Sequence, residues 1–305
     1  MKNRPVPPSA IVVGLVRSGS RAALGWAVDE ALATSRPLHV MHVLDGGDHT
    51  PVDLEGHVDV VTEAAVTGIL EAHPSVRVSA HTDTGSAAAA LVTASRSART
   101  LVVGAATHGL LEAALLGSVA LQVAAHSFCP VVVLHDRESD GETSEGGSAP
   151  TTREPGRVVV GLDASERSER ALAFGFEQAS RREVGLTAVA CWTWEDSVGE
   201  VPGPLAVGAW EDGRQQERRL VAELLAGWRG KYPDVDVRTH LVHARVVSTL
   251  LDVATDASLL VVGTRGRGGF DGLLLGSVSQ RVLERASCPV AVVPAPDLDL
   301  GRAPR

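Results

Sequence analysis

Apolar residues along the chain fall in short unbroken runs rather than in strict alternation with polar ones. In the first half the runs lie at 10–15, 38–44, 76–82, 100–104 and 130–134. In the second half they lie at 157–163, 185–192, 235–242, 258–263 and 289–293. Continuous Val- and Leu-rich runs of strand length belong to strands buried on both faces, as in a parallel sheet. Helical periodicity fills the intervals, at 166–180, 214–231, 246–256 and 277–286 in the second half. Strand and helix in turn require right-handed crossovers, which gives an α/β, doubly wound sheet. In such a sheet ligands sit beyond the carboxyl ends of the strands, where the strand order reverses.

The two halves are copies of one another. Gly104 and Gly263, Gly117 and Gly276, and the Cys-Pro pairs at 129–130 and 288–289 all stand 159 residues apart. The first-strand glycines, Gly14 and Gly161, stand 147 apart, and Trp26 and Phe174 stand 148 apart. The second copy therefore carries about eleven extra residues between its second and fourth strands, assigned by composition to the Trp-, Pro- and Gly-rich segment 192–213. Between the copies the sequence turns to Glu, Asp, Ser and Gly, the composition of a flexible acidic linker. The expected organisation is a domain at 8–136, a linker at 137–156, a second domain at 157–296 and a tail at 297–305.

Composition narrows the function classes. A hydrophobic content of 44% supports a core in each domain, but with aromatics at 3% those cores must be made of Val, Leu and Ala. A net charge of −9 argues against a nucleic-acid footprint or docking on an anionic membrane. Cys129, Cys191 and Cys288 show neither Cys-x-x-Cys nor metal-ligand spacing and read as small buried residues. With no signal-peptide pattern and no apolar run of the roughly 18 residues that span a bilayer, a cytoplasmic protein is expected.

The chemistry concentrates in the loop after the fourth strand of the second copy. It reads Gly263-Thr264-Arg265-Gly266-Arg267-Gly268-Gly269, then Phe-Asp-Gly-Leu-Leu-Leu, then Gly276-Ser277-Val278-Ser279. Glycines let several backbone N–H groups converge on one point, and the helix opening at Gly276-Ser277 adds unpaired donors and the positive end of its dipole. The natural guest is a phosphate; an ordinary strand-to-helix turn is the competing reading of one or two such glycines. Arg265 and Arg267 could fork onto phosphate oxygens or stand solvated. The loop is not a Walker A motif, since no lysine follows, and it lies after the fourth strand, not the first as in dinucleotide folds.

Gly263-x2-Gly266-x9-Gly276-Ser277, together with Val-Val-Gly161-Leu-Asp163 on the first strand and Cys-Pro-Val-Ala-Val-Val on the last, resembles the universal stress protein family. The resemblance covers almost the whole chain as two tandem domains. It implies a five-stranded, Rossmann-like (adenine nucleotide alpha hydrolase-like) sheet in each domain and ATP binding in the motif-bearing branch. On that resemblance Gly263, Thr264, Arg265, Gly266, Arg267, Gly268 and Gly269 approach the phosphates. Gly276, Ser277, Val278 and Ser279 take the distal ones through the helix start, and Gly161 and Asp163 border the ribose or adenine. The backbone at Cys191 stands at the adenine-reading position. Asp163 could instead cap the helix that follows it. Mg²⁺ could accompany the nucleotide, with Asp163 or Asp271 as ligands. The resemblance also implies pairing of the last strands, within the chain as a pseudo-dimer or between chains as a homodimer, and a regulatory protein partner.

The first copy departs from the motif. Thr107 stands for Gly266, Leu110 for Gly269 and Val16 for Asp163, so a degenerate site there would comprise Gly14, Gly104, Gly109, Gly117, Ser118 and Val119. Threonine resists positive φ and valine accepts no hydrogen bond. The expectation is therefore ATP in the second domain and a structural role for the first. His39 and His42, three apart on one strand, face opposite sides and read as solvated or satisfied imidazoles. Trp192, Trp194 and Trp210 could form a lid over the pocket or cover an apolar edge. Two other functions compete: a slow ATPase or nucleotidyl transferase, weakened by the lack of His or Lys near the motif, and an interaction module without nucleotide.

Overall fold

The computed structural model describes residues 1–15, 21–44, 57–105, 117–135, 156–163, 168–191, 204–242, 245–266 and 274–295, with the backbone alone over 204–212. The chain forms two compact units, one built on residues 1–147 and the other on 148–288. The first contains β1 (Ile11–Leu15), α1 (Arg21–Thr34), β2 (Leu38–Leu44), α2 (Val60–Ala72), β3 (Val78–Thr84), α3 (Ala87–Ala94), β4 (Thr100–Gly104), α4 (Ser118–His126) and β5 (Val131–Leu134). Its strands are parallel in the order β3-β2-β1-β4-β5.

The second contains β6 (Val158–Leu162), α5 (Ser168–Arg181), β7 (Leu186–Cys191), α6 (Pro204–Lys231), β8 (Val237–Val242), α7 (Val246–Val253), β9 (Leu259–Gly263), α8 (Ser277–Arg285) and β10 (Val290–Val293). The order is β10-β9-β6-β7-β8, with β6 parallel to both β7 and β9 and β7 parallel to β8. The chain is thus α/β, with a parallel sheet flanked by helices in each half.

Every expected strand forms, with ends moved by at most two residues. The third strands start later, at Val78 and Val237, because Val76 and Val235 are buried in the turns that precede them. The larger departure is α6, which starts at Pro204 and not at 214. Proline serves as a first helical residue, where its missing N–H has no partner to lose. Much of the extra length of the second copy is helical: α6 has 28 residues where α2 has 13.

The central strands are buried over most of their length, with Ile11, Val12, Val13, Val158, Val159 and Val160 wholly inside. Gly14 and Gly161 are packing glycines. A Cβ on Gly161 would lie 3.2 Å from Leu250 of α7, and one on Gly14 would lie 3.1 Å from Leu91 of α3. The two leucines hold the same place in the two copies. Three aromatics meet between α5 and the end of α6, where the buried Phe176 ring stacks on Trp228 and Tyr232 at 5.9 and 5.7 Å between centroids.

At the amino ends of β6, β7 and β8 one arginine ties three strands together. Arg157 donates from Nε to Thr187 Oγ1 (3.0 Å), from Nη2 to the carbonyls of Leu186 (2.8 Å) and Asp236 (2.7 Å), and from Nη1 to the Asp236 carboxylate (2.7 Å). Gly185 leaves the room for it, since a Cβ there would lie 2.0 Å from Nη1.

His39 and His42 face opposite sides of β2, and each has a polar partner. His39 Nδ1 lies 2.8 Å from Ser79 Oγ, and His42 Nδ1 lies 2.9 Å from Asp59 Oδ2. Asp59 also caps α2 through Thr62 N–H, and Thr82 Oγ1 donates to its other oxygen.

Candidate functional site

The strand order reverses beside β6. The chain runs outward through β7 to β8, then returns to the other side of β6 with β9 and β10. The crevice beyond the carboxyl ends of β6 and β9 is therefore the position that this topology reserves for a ligand. Asp163 follows β6 on one side, and Gly263 to Gly266 follow β9 on the other.

The frame of the crevice is a set of backbone bonds. Thr264 N–H donates to Val293 O (3.0 Å) and Gly276 N–H donates to Thr264 O (2.7 Å), so the start of α8 is fastened against the end of β9. Ser279, buried, adds a strap from its hydroxyl to Gly263 O (2.6 Å). The first unit repeats the frame: Ala105 N–H donates to Leu134 O (2.7 Å) and Gly117 N–H donates to Ala105 O (3.3 Å). The strap is missing there, because Ala120 stands where Ser279 does. Thr264 and Ser279, both counted as site residues from the motif, thus have their hydroxyls in supporting contacts; Thr264 Oγ1 accepts from Ala295 N–H (3.4 Å).

Asp163 is oriented by Ser168 at the start of α5. Ser168 Oγ donates to Asp163 Oδ1 (2.5 Å) and accepts from Asp163 N–H (3.2 Å). The other carboxylate oxygen faces Gly266, where a Cβ would come within 3.2 Å of it. Glycine at 266 therefore lets the β9 loop approach the acidic group closely. Gly276 is crowded too: its Cβ would lie 3.4 Å from Thr264 O and 3.6 Å from Arg265 Cα.

Donors for an anion stand at the same end. Gly276 is the N-cap of α8, with extended backbone (φ −76°, ψ 155°) and no side-chain cap, whereas α2 and α3 are capped by Asp59 and Ser86. Ser277 at the first helical position is exposed, and Val278 is half-buried. Arg265 Nε is enclosed and finds no hydrogen-bond partner among the described residues. An uncapped helix start offers N–H donors that an oxyanion completes, and the Arg265 backbone lies against that start.

Cys191 ends β7, half-buried, on the far side of β6 from the glycine loop. Burial pushes its thiol up to about 11, against a smaller opposing effect of its hydrogen bond with Thr249, so the free thiol is protonated at neutral pH. Arg267, Gly268, Gly269 and Asp271 lie outside the described residues, as do Trp192 and Trp194 and the side chain of Trp210. Among the described residues no group of three or more His, Cys, Asp or Glu is placed to hold a metal ion. In the first unit Gly117 caps α4 without a side-chain bond, Ser118 is exposed, Val119 is half-buried and Gly104 ends β4. Gly109 lies outside the described residues, with Val16, Thr107 and Leu110.

Comparison with known proteins decides the family. The model of the universal stress protein family matches twice, over residues 9–135 and 155–294. The chain belongs to the universal stress protein family. A universal stress protein of Mycolicibacterium smegmatis is 36% identical over 299 residues, covering 93% of this chain and 96% of that one. One from Mycobacterium tuberculosis is 33% identical over 303 residues, covering 92% and 95%. Among solved structures, a universal stress protein of Archaeoglobus fulgidus superposes with a TM-score of 0.58 at 16% identity, over 97% of this chain and 99% of that one. At that identity the likeness concerns the fold alone.

Three universal-stress-domain residues escape a motif-based reading. Ser168 orients Asp163, Leu250 fills the space above Gly161, and Arg157 ties the far end of the sheet. Their partners are distant in sequence, or follow a loop, and no local spacing announces them.

Proposed function

We propose that this universal stress protein binds ATP, that the second domain holds it, and that the nucleotide state serves a regulatory role in a stress response. The observation that carries the reading is the meeting of Asp163 with Gly266 across the crevice between β6 and β9, 3.2 Å from carboxylate oxygen to where a side chain would begin. An acidic acceptor suits ribose hydroxyls; it would repel phosphate. Phosphates belong at the other end, on the uncapped start of α8 and Arg265 Nε. Acceptor and donors thus sort the polar ends of a nucleotide along one crevice. The first domain keeps the helix start but has Val16 in place of the acid and Thr107 in place of Gly266, so it does not retain ATP.

Native mass spectrometry of the freshly purified chain tests this. One ATP per chain is expected, lost on Gly276→Asp, which puts a negative side chain at the helix start. Two ATP per chain, or one retained by Gly276→Asp, contradicts the assignment.

A further inference from the structure

The two sheets end differently. β3 and β8 are the corresponding outer strands of the two halves, each paired with one neighbour through the same parallel register. In such a strand every second residue turns its N–H and C=O away from the partner. On β3 the chain covers those groups itself. Arg4 N–H donates to Ala80 O (3.0 Å), Asn3 Oδ1 accepts from Thr82 N–H (2.8 Å), and Asn3 Nδ2 donates to Thr82 O (3.0 Å). The equivalent residues on β8 are Thr239 and Leu241, whose outward groups have no backbone partner among the described residues. The burial differs to match: Ser79 and Ala80 are buried, whereas Arg238 and Thr239 are exposed.

Beside this open edge, α6 and β8 enclose a groove of about 440 Å³. Its floor is apolar, with Ala222 exposed and Val221 and Leu225 buried just beneath, and Arg218 and Arg229 stand at its two ends on the helix. The arginines are eleven positions apart on the helix, about 16 Å. An extended peptide covers that length in about five residues, and side chains at alternate positions of an added strand point the same way. Arg229 already reaches toward the edge, with Nη2 3.4 Å from the outward carbonyl of Val237.

We propose that the β8 edge and its groove dock an extended acidic peptide of a partner protein by strand addition. The bound segment places an apolar side chain over Val221 and Leu225, with carboxylates two residues before and two after it, against Arg218 and Arg229. Backbone pairing with Thr239 and Leu241 supplies the geometry, and the arginine pair selects the charge. The surface is separate from the nucleotide crevice, and the proposal stands without it.

The test uses the full-length protein and a fluorescein-labelled peptide, Ser-Glu-Thr-Leu-Thr-Glu-Ser, followed by fluorescence anisotropy. Binding is expected and should weaken with added salt. Arg218→Glu should weaken it at least about tenfold, the equivalent of about 1.4 kcal/mol. Leu241→Pro should do the same: it deletes an outward N–H and leaves the β7–β8 ladder donors in place. Circular dichroism and melting temperature establish that each variant is folded, and a folded Thr239→Pro variant replaces Leu241→Pro if that one is not. A peptide with Lys for both Glu should not bind. Three results would overturn the proposal: no binding by the wild-type chain, equal binding of the Lys peptide, or unchanged affinity in both folded variants. A wild-type dimer in sedimentation that Leu241→Pro makes monomeric would also overturn it, by assigning the edge to a second copy of the chain.

Discussion

At the residue scale, the crevice depends on what glycine omits. Gly266 faces the Asp163 carboxylate, and any side chain there enters the space between acid and loop. Gly266→Val is expected to weaken ATP at least about tenfold, or about 1.4 kcal/mol, with little change in the melting temperature of the ligand-free protein. Titration calorimetry with ATP, alongside a thermal melt, checks both. His39 yields a second prediction. Burial lowers its pKa to about 4, and neighbouring His81 adds to the shift. An unfolded histidine takes up its proton near pH 6.5, so between pH 6.5 and 4 the unfolded chain binds the extra proton. The contribution of neutral His39 is therefore complete above pH 6.5 and is lost as pH falls toward 4, by about 3 kcal/mol. Urea unfolding at pH 7 and pH 4.5 should show the loss, and a folded His39→Gln variant should lose less over the same interval.

At the element scale, a single side chain ties one end of the second sheet. Arg157 holds the amino ends of three strands with four hydrogen bonds, and Gly185 gives its guanidinium room. Gly185→Ala should displace that group and cost about 2–3 kcal/mol, read as a lower urea midpoint, while ATP affinity stays within about twofold because the change lies at the opposite end of the strands. Gly185 and Arg157 were legible only as the first residues of two strands. Helix α6 shows the converse. Its first ten residues contain Pro204, Gly208 and Gly213 and read locally as loop, yet they are helical. The strands were legible to within two residues, because a run of β-branched residues buried on both faces leaves little choice of conformation.

At the scale of the whole molecule, the duplication gives two domains with unequal acidic and glycine positions. If the second alone holds ATP, calorimetry should show only its transition rise with nucleotide, by about 2.7 kcal/mol at a hundredfold excess over Kd. A rise in both transitions would assign ATP to the first domain as well. The inequality extends to the sheet edges, since the N-terminal segment covers β3 and no backbone group among the described residues pairs with the outward groups of Thr239 and Leu241 on β8.

The sequence by itself determined the repeat, the alternation of strands and helices of α/β type, the family and the place of the glycine loop, because each is written in local runs and fixed spacings. Tertiary structure decided which of those residues face the crevice. Motif spacing could not distinguish Gly266, which borders Asp163, from Gly161, which lies under Leu250, or Ser277, exposed at the helix start, from Ser279, bound to Gly263 O. Those distinctions rest on neighbours from other elements, and only the packed sheet brings those neighbours together.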